Sequence, residues 1–264
     1  MKMPKGARRA IVFGFSCWFA AIIFAAFGQW LGWHVAPDLP NRVAADEMAA
    51  QIVRSNPSSV SRMDDLFQYE TMSPMVSLLG ADGYMPGFVR FTFPVDDRQS
   101  LEVVADRMRA TGWEVTKLKR PSGTEVRGVR GSTYAVFRVS QNDSTLILKR
   151  ATPIAAMVLS VTGALLGGTA GWFIARLVVR RWGQARRRLA ATVTGGLAAL
   201  FLLPGMLLTT IAWVATALTR PREPYALWGI FMFVGVKPLT LLGLVLIVVA
   251  AVLISGTKSP SSMK

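Results

Sequence analysis

From Ile154 to Ala175 the chain is dominated by apolar and small residues and carries Gly163, Gly167 and Gly171 at four-residue spacing. Arg176, Arg180, Arg181, Arg186, Arg187 and Arg188 follow without one acidic residue among them. Few folds are open to such a segment. A helix needs about 20 apolar residues to cross the hydrocarbon core of a bilayer, and inside that core its backbone polar groups must pair with one another. Residues 154–179 satisfy both conditions. The arginines of 180–188 then mark the end that stays in the cytoplasm, because basic residues flanking spans are retained on that side.

Three further runs have spanning length: 10–33, 189–218 and 228–255. Between the first and second spans lies a polar insert, 36–152, long enough for one small core of its own. A chain that is 52% apolar would be hard to reconcile with a wholly soluble fold of 264 residues. The expected architecture is a multi-pass α-helical membrane protein. It has a four-helix transmembrane bundle and an inserted α+β extracytoplasmic domain, an antiparallel sheet packed on a helix.

The net charge of +15 raises the question of nucleic acid, and its distribution answers it. The segments 1–9, 180–188 (with Arg176 at its edge) and 256–264 hold four, six and two basic residues and no acid. The insert holds 15 basic and 14 acidic residues, a net of +1. A domain that binds phosphate backbones concentrates its excess in the folded part. Here the excess lies beside the spans, which predicts a plasma-membrane protein with both termini cytoplasmic and 36–152 outside, with lipid and not nucleic acid as its partner.

The basic residues 1–9 precede an apolar run longer than the roughly 7–15 residues of a cleaved signal peptide, so an uncleaved anchor is expected. Trp30, Trp33 and His34 close that span at headgroup depth. In the insert, Val43–Val53 and Val60–Leu66 read as short amphipathic helices, and Gly80, Gly83, Pro86 and Gly87 read as a loop. Phe88–Val95 alternates as a strand. Leu101, Val104, Ala105 and Met108 recur at helical spacing, with Ser100 as N-cap and Gly112 beyond the end. Trp113–Leu118, Thr133–Ser140 and Thr145–Lys149 are the remaining expected strands, with turns at Pro121–Gly123 and Gln141–Ser144. Cys17 is alone, so no disulfide staples the domain.

Gly163, Gly167 and Gly171 fall on one stripe, which predicts close helix packing, either within the bundle or with a protein partner or second copy. Gly28 and Gly32 make a shorter pair in the first span. Pro204-Gly205 predicts a kink in the third span. After an outer loop, 219–227, the fourth span is expected as a long helix kinked at Pro238, with Lys237 reaching outward; the alternative starts the span at Pro238.

Chemistry is hard to find. One histidine and one cysteine offer no metal constellation, and no phosphate loop or nucleophile elbow occurs. Asp96-Asp97 sits where a strand gives way to a helix, a place for capping. No Asp or Glu lies in any span, against the pattern of proton-coupled carriers. No catalytic, cofactor-binding or metal residue is assigned, and the reading leans away from an enzyme. Arg180, Arg181, Arg186, Arg187 and Arg188 are assigned as the topological anchor.

The foremost reading is a non-enzymatic envelope protein whose outer domain binds a partner or ligand. In its order of one span, a large outer domain and three more spans, the chain resembles FtsX-like and MacB-like ABC-transporter permeases. That resemblance implies a cytoplasmic ATPase and transmission of motion outward. A membrane enzyme comes third.

Overall fold

The computed structural model describes residues 5–68, 85–94, 99–120, 123–140, 143–182, 188–219, 222–227, 229 and 236–255. Its elements are α1 (Lys5–Trp33), α2 (Arg42–Ile52), β1 (Ser59–Gln68), β2 (Met85–Phe93), α3 (Leu101–Ala110), β3 (Glu114–Arg120), β4 (Gly123–Arg130), β5 (Thr133–Val139), β6 (Ser144–Arg150), α4 (Ile154–Trp182), α5 (Arg188–Thr219) and α6 (Val236–Ser255). Four of the helices, α1, α4, α5 and α6, are long and apolar enough to cross a membrane. Their outward side chains include Leu165 at 71% and Val248 at 62% exposure, as expected for helices whose solvent is lipid. The chain is a multi-pass membrane protein.

Between α1 and α4 stands a six-stranded sheet of order β1-β2-β6-β5-β4-β3, with every neighbouring pair antiparallel. Helices α2 and α3 cover one face. In α2 the Asn41 side chain caps the N-terminus by accepting from the Ala44 amide, and Ala45, Ala49 and Ile52 are buried. In α3 Ser100 accepts from the Val103 amide, 3.3 Å away. Gly112 follows the C-cap at a φ of +82°, a conformation that glycine takes without strain. Val104, Ala105 and Met108 meet Phe91, Phe93, Phe137, Leu146 and Leu148 from the strands in one continuous core.

Two strands differ from expectation. Val60–Leu66 is not a helix but lies in β1, paired with β2. Its apolar residues Val60, Met63 and Leu66 recur every three positions and imitate a helical stripe. As an edge strand it has Val60 44% exposed and lacks the alternation of a half-buried strand. Residues 123–130 form β4, so the expected β-α-β-β-β order was two strands short. Gly87 also lies in a strand and not in a loop, at a φ of +66° beside the register shift in β1. A Cβ there would come within 2.9 Å of the Met63 carbonyl oxygen. Met72–Leu79, Gly80, Gly83 and Asp96-Asp97 lie outside the described residues.

Strands β5 and β6 pair as an antiparallel hairpin, with the Ser140 amide donating to the Asp143 carbonyl at 2.8 Å; Gln141 and Asn142 lie outside the described residues. In the bundle, α1 and α4 run antiparallel in close contact and α5 packs on α6. Helix α5 continues through Pro204 without ending. The described part of α6 begins at Val236 and runs through Lys237 and Pro238; the preceding residues 230–235, which would make it a longer helix kinked at Pro238, lie outside the described residues. Lys237 is buried at 9% exposure.

Candidate functional site at the junction of domain and spans

Strand register puts Glu125, Arg127, Tyr134, Val136, Arg138, Lys149 and Arg90 on the sheet face opposite α2 and α3. Glu125 and Arg127 are 3% and 4% exposed, unusual burial for charged side chains. Each charge has partners. Arg127 Nε donates to Glu125 Oε1 at 2.6 Å, and its Nη1 forms an ion pair with Glu223 Oε1 at 2.5 Å. Glu125 accepts from Arg138 Nε through its other oxygen, at 2.7 Å. Burial by itself would raise the Glu125 carboxyl. The hydrogen bond from Arg138 and the charge of Arg127 outweigh it and hold the group below the usual carboxylate range. Beside it, burial and the Glu223 charge push the Tyr134 hydroxyl up to about 12, against the opposing pull of Arg127.

Glu223 belongs to the connection between α5 and α6, so this ion pair ties the sheet to the membrane helices. The backbone adds to it. The Thr152 amide donates to the Arg222 carbonyl at 3.1 Å, and the Thr152 hydroxyl to the Glu223 carbonyl at 2.7 Å. Arg222 Nη2 donates to the Gly131 carbonyl at 2.6 Å, in the turn between β4 and β5.

The same connection is fastened to α1 by one side chain. Gln29 is 5% exposed; its Nε2 donates to the Tyr225 carbonyl at 2.9 Å, and its Oε1 accepts from the Leu227 amide at 2.8 Å. A glutamine offers a donor and an acceptor at one carbon, which suits a backbone segment presenting both. Replacing Gln29 by leucine is expected to cost about 1–3 kcal/mol of stability, the penalty for leaving the buried Leu227 N–H unpaired. Thermal unfolding in detergent measures it.

Below the connection a cavity of about 90 Å³ is lined by Gln29, Ser160, Trp213, Thr216, Glu223 and Tyr225, among others. The Tyr225 hydroxyl is buried with no hydrogen-bond partner among the described residues, and burial raises its pKa.

Gly163, Gly167 and Gly171 face α1. A Cβ built on each would lie 2.2 Å from the Phe24 carbonyl oxygen, 2.3 Å from that of Ala20 and 2.4 Å from that of Ser16. Gly28 and Gly32 reciprocate, with a Cβ 2.1 Å from the Leu159 carbonyl oxygen and 2.3 Å from Ala156 Cα. The stripe is thus occupied by a helix of the same chain. Arg180 and Arg181 form the last turn of α4 and Arg188 begins α5, so both helices extend into the segment expected as a turn. Arg186 and Arg187 lie outside the described residues. Arg176 stacks over Trp172 at 5.6 Å, and His34 meets Trp30 edge-on at 4.4 Å. Among the described residues no three His, Cys, Asp or Glu side chains gather as a metal site.

Gln29, Glu125, Arg127, Glu223 and Tyr225 escape the sequence reading. One signal was available for Glu223: it is the only acidic residue outside 36–152, so it had a reason to be there. No family model, curated protein or solved structure matches the chain.

Proposed function

We propose that this chain is a plasma-membrane protein with both termini in the cytoplasm, whose α+β domain stands outside the membrane and binds a protein partner or ligand. The bundle serves as its anchor. The observation that carries this reading is the buried Arg127–Glu223 pair, with the Thr152 and Arg222 hydrogen bonds around it. It fixes the domain to the loop between α5 and α6 in one orientation and leaves the α2 and α3 side free to meet another molecule. The three acid-free basic segments support the orientation.

Site-specific photocrosslinking in the full chain tests it. A photoreactive residue at Val43 or Val103, exposed positions on α2 and α3, is expected to give discrete protein adducts. The same residue at Arg181 is expected to give none. Adducts formed only at Arg181, with a cytoplasmic ATPase, would overturn the binding reading and assign the chain to a transport system.

A further inference from the structure

The sheet face turned toward the spans is not uniformly filled. Its β4 side is closed by the Arg127–Glu125–Glu223 cluster, whereas Arg90, Thr145, Ile147 and Lys149 on β2 and β6 are only half-buried and Arg138 is half-exposed. We propose that this open end, formed by Arg90, Arg138 and Lys149, seats the phosphate of an anionic phospholipid from the leaflet beneath it.

Position is the first argument. Lys149 precedes the start of α4 by five residues, at most about 17 Å of extended chain. Helix α4 has 29 residues, about 43 Å at 1.5 Å per residue, against about 30 Å for the hydrocarbon core. The excess lies at the Arg176–Trp182 end, so Ile154 marks the edge of the hydrocarbon core and Lys149, on the same sheet face as Arg127, stands at headgroup depth. This holds whichever side of the membrane the domain occupies, so the inference stands apart from the orientation proposed above.

Charge is the second. Arg90 Nε is buried without a hydrogen-bond partner among the described residues, its guanidinium lying 5.0 Å over the Phe88 ring. No carboxylate among the described residues pairs directly with Lys149, and burial together with the Arg138 charge lowers its pKa. Where the register is unbroken, β1, β2 and β6 carry Ser59, Ser61, Met63, Phe88, Thr92, Thr145 and Ile147 on this face beside the two cations, and no acid. Glu125 and Glu223 are already held by Arg127. An arriving phosphate would relieve Arg90 and Lys149, share Arg138 with Glu125, and supply acceptors to guanidinium and ammonium donors.

The test places the full chain in nanodiscs containing a phosphatidylglycerol with a photoreactive headgroup and maps the adducts by mass spectrometry. Adducts are expected on β2 and β6. At about 1 kcal/mol, or roughly fivefold, per basic residue, the double variant Arg90→Gln, Lys149→Gln should reduce them about 30-fold. Adducts at the arginine-rich ends of α4 and α5 should be unchanged, which serves as the internal control. If that variant loses its thermal transition, Arg138→Gln replaces it, since Glu125 keeps Arg127. The proposal is overturned if sheet adducts are missing, if they persist in the variants, or if photoreactive phosphatidylcholine gives them equally.

Discussion

Alanine at Gly163, Gly167 and Gly171 together is expected to separate α1 from α4 and leave little folded protein after extraction. Each new Cβ would sit 2.2 to 2.4 Å from a carbonyl oxygen of α1, and backbone cannot swing aside as a flexible side chain can. Overpacking a close contact costs about 1–3 kcal/mol per site, and three sites on one seam exceed what a marginally stable fold can absorb. The single variant Gly167→Ala should lower the thermal midpoint measurably. Gly168→Ala is the matched control: nothing lies within 4 Å of a Cβ there, so the midpoint should move by no more than about 0.5 kcal/mol equivalent. Equal effects at Gly167 and Gly168 would mean that the penalty comes from the substitution itself and not from the helix contact.

The second large effect is expected at Arg127. Changing it to methionine keeps much of the volume but strands Glu223 and half of the Glu125 interaction in a buried setting. Removing one partner from a buried ion pair typically costs about 3–5 kcal/mol, more than the pair itself contributes, because the remaining charge is uncompensated. The pH dependence should also change sign. In the native chain the folded-state pKa of Glu125 is lowered from its ordinary 4.5. Its stabilisation is therefore fully present above that value and is lost as pH falls through the lowered one. In Arg127→Met, Glu125 keeps its burial, the largest influence on its carboxyl, and loses the charge and hydrogen bond of Arg127, so its carboxyl rises and acidification should restore stability through protonation. Chemical unfolding at pH 7 and pH 5 distinguishes the two: the native midpoint stays level or falls, and the variant's rises. A variant that weakens in parallel with the native chain would contradict the clamp.

Much of this architecture could be read from the sequence because its strongest signals are periodic and apolar. The four candidate spans, the β5–β6 pairing and α3 with its Ser100 cap all follow from one-residue-at-a-time chemistry. What stayed hidden depends on pairing between distant residues. Strand β4 was concealed because its core-facing positions offer only Val126 and Gly128, while Glu125 and Arg127 are buried on the other face. They are tolerated only because Arg138, thirteen residues on, and Glu223, nearly a hundred residues on, neutralise them. Gln29 is equally silent: a single amide in an apolar helix becomes informative only when the Tyr225 and Leu227 backbone is beside it. Edge strand β1 carries no inward-facing row of its own strong enough to override a helical spacing.

The account as a whole depends on the domain lying outside the membrane, joined to the outer ends of the spans. The most direct test is a topology reporter inserted after Asn142, between β5 and β6 in the chain, paired with one at the C-terminus. The account predicts alkaline phosphatase activity at the first position and none at the second, with fluorescence from a cytoplasm-dependent reporter in the reverse pattern. Phosphatase inactive after Asn142 while the fluorescent reporter is bright there would contradict it.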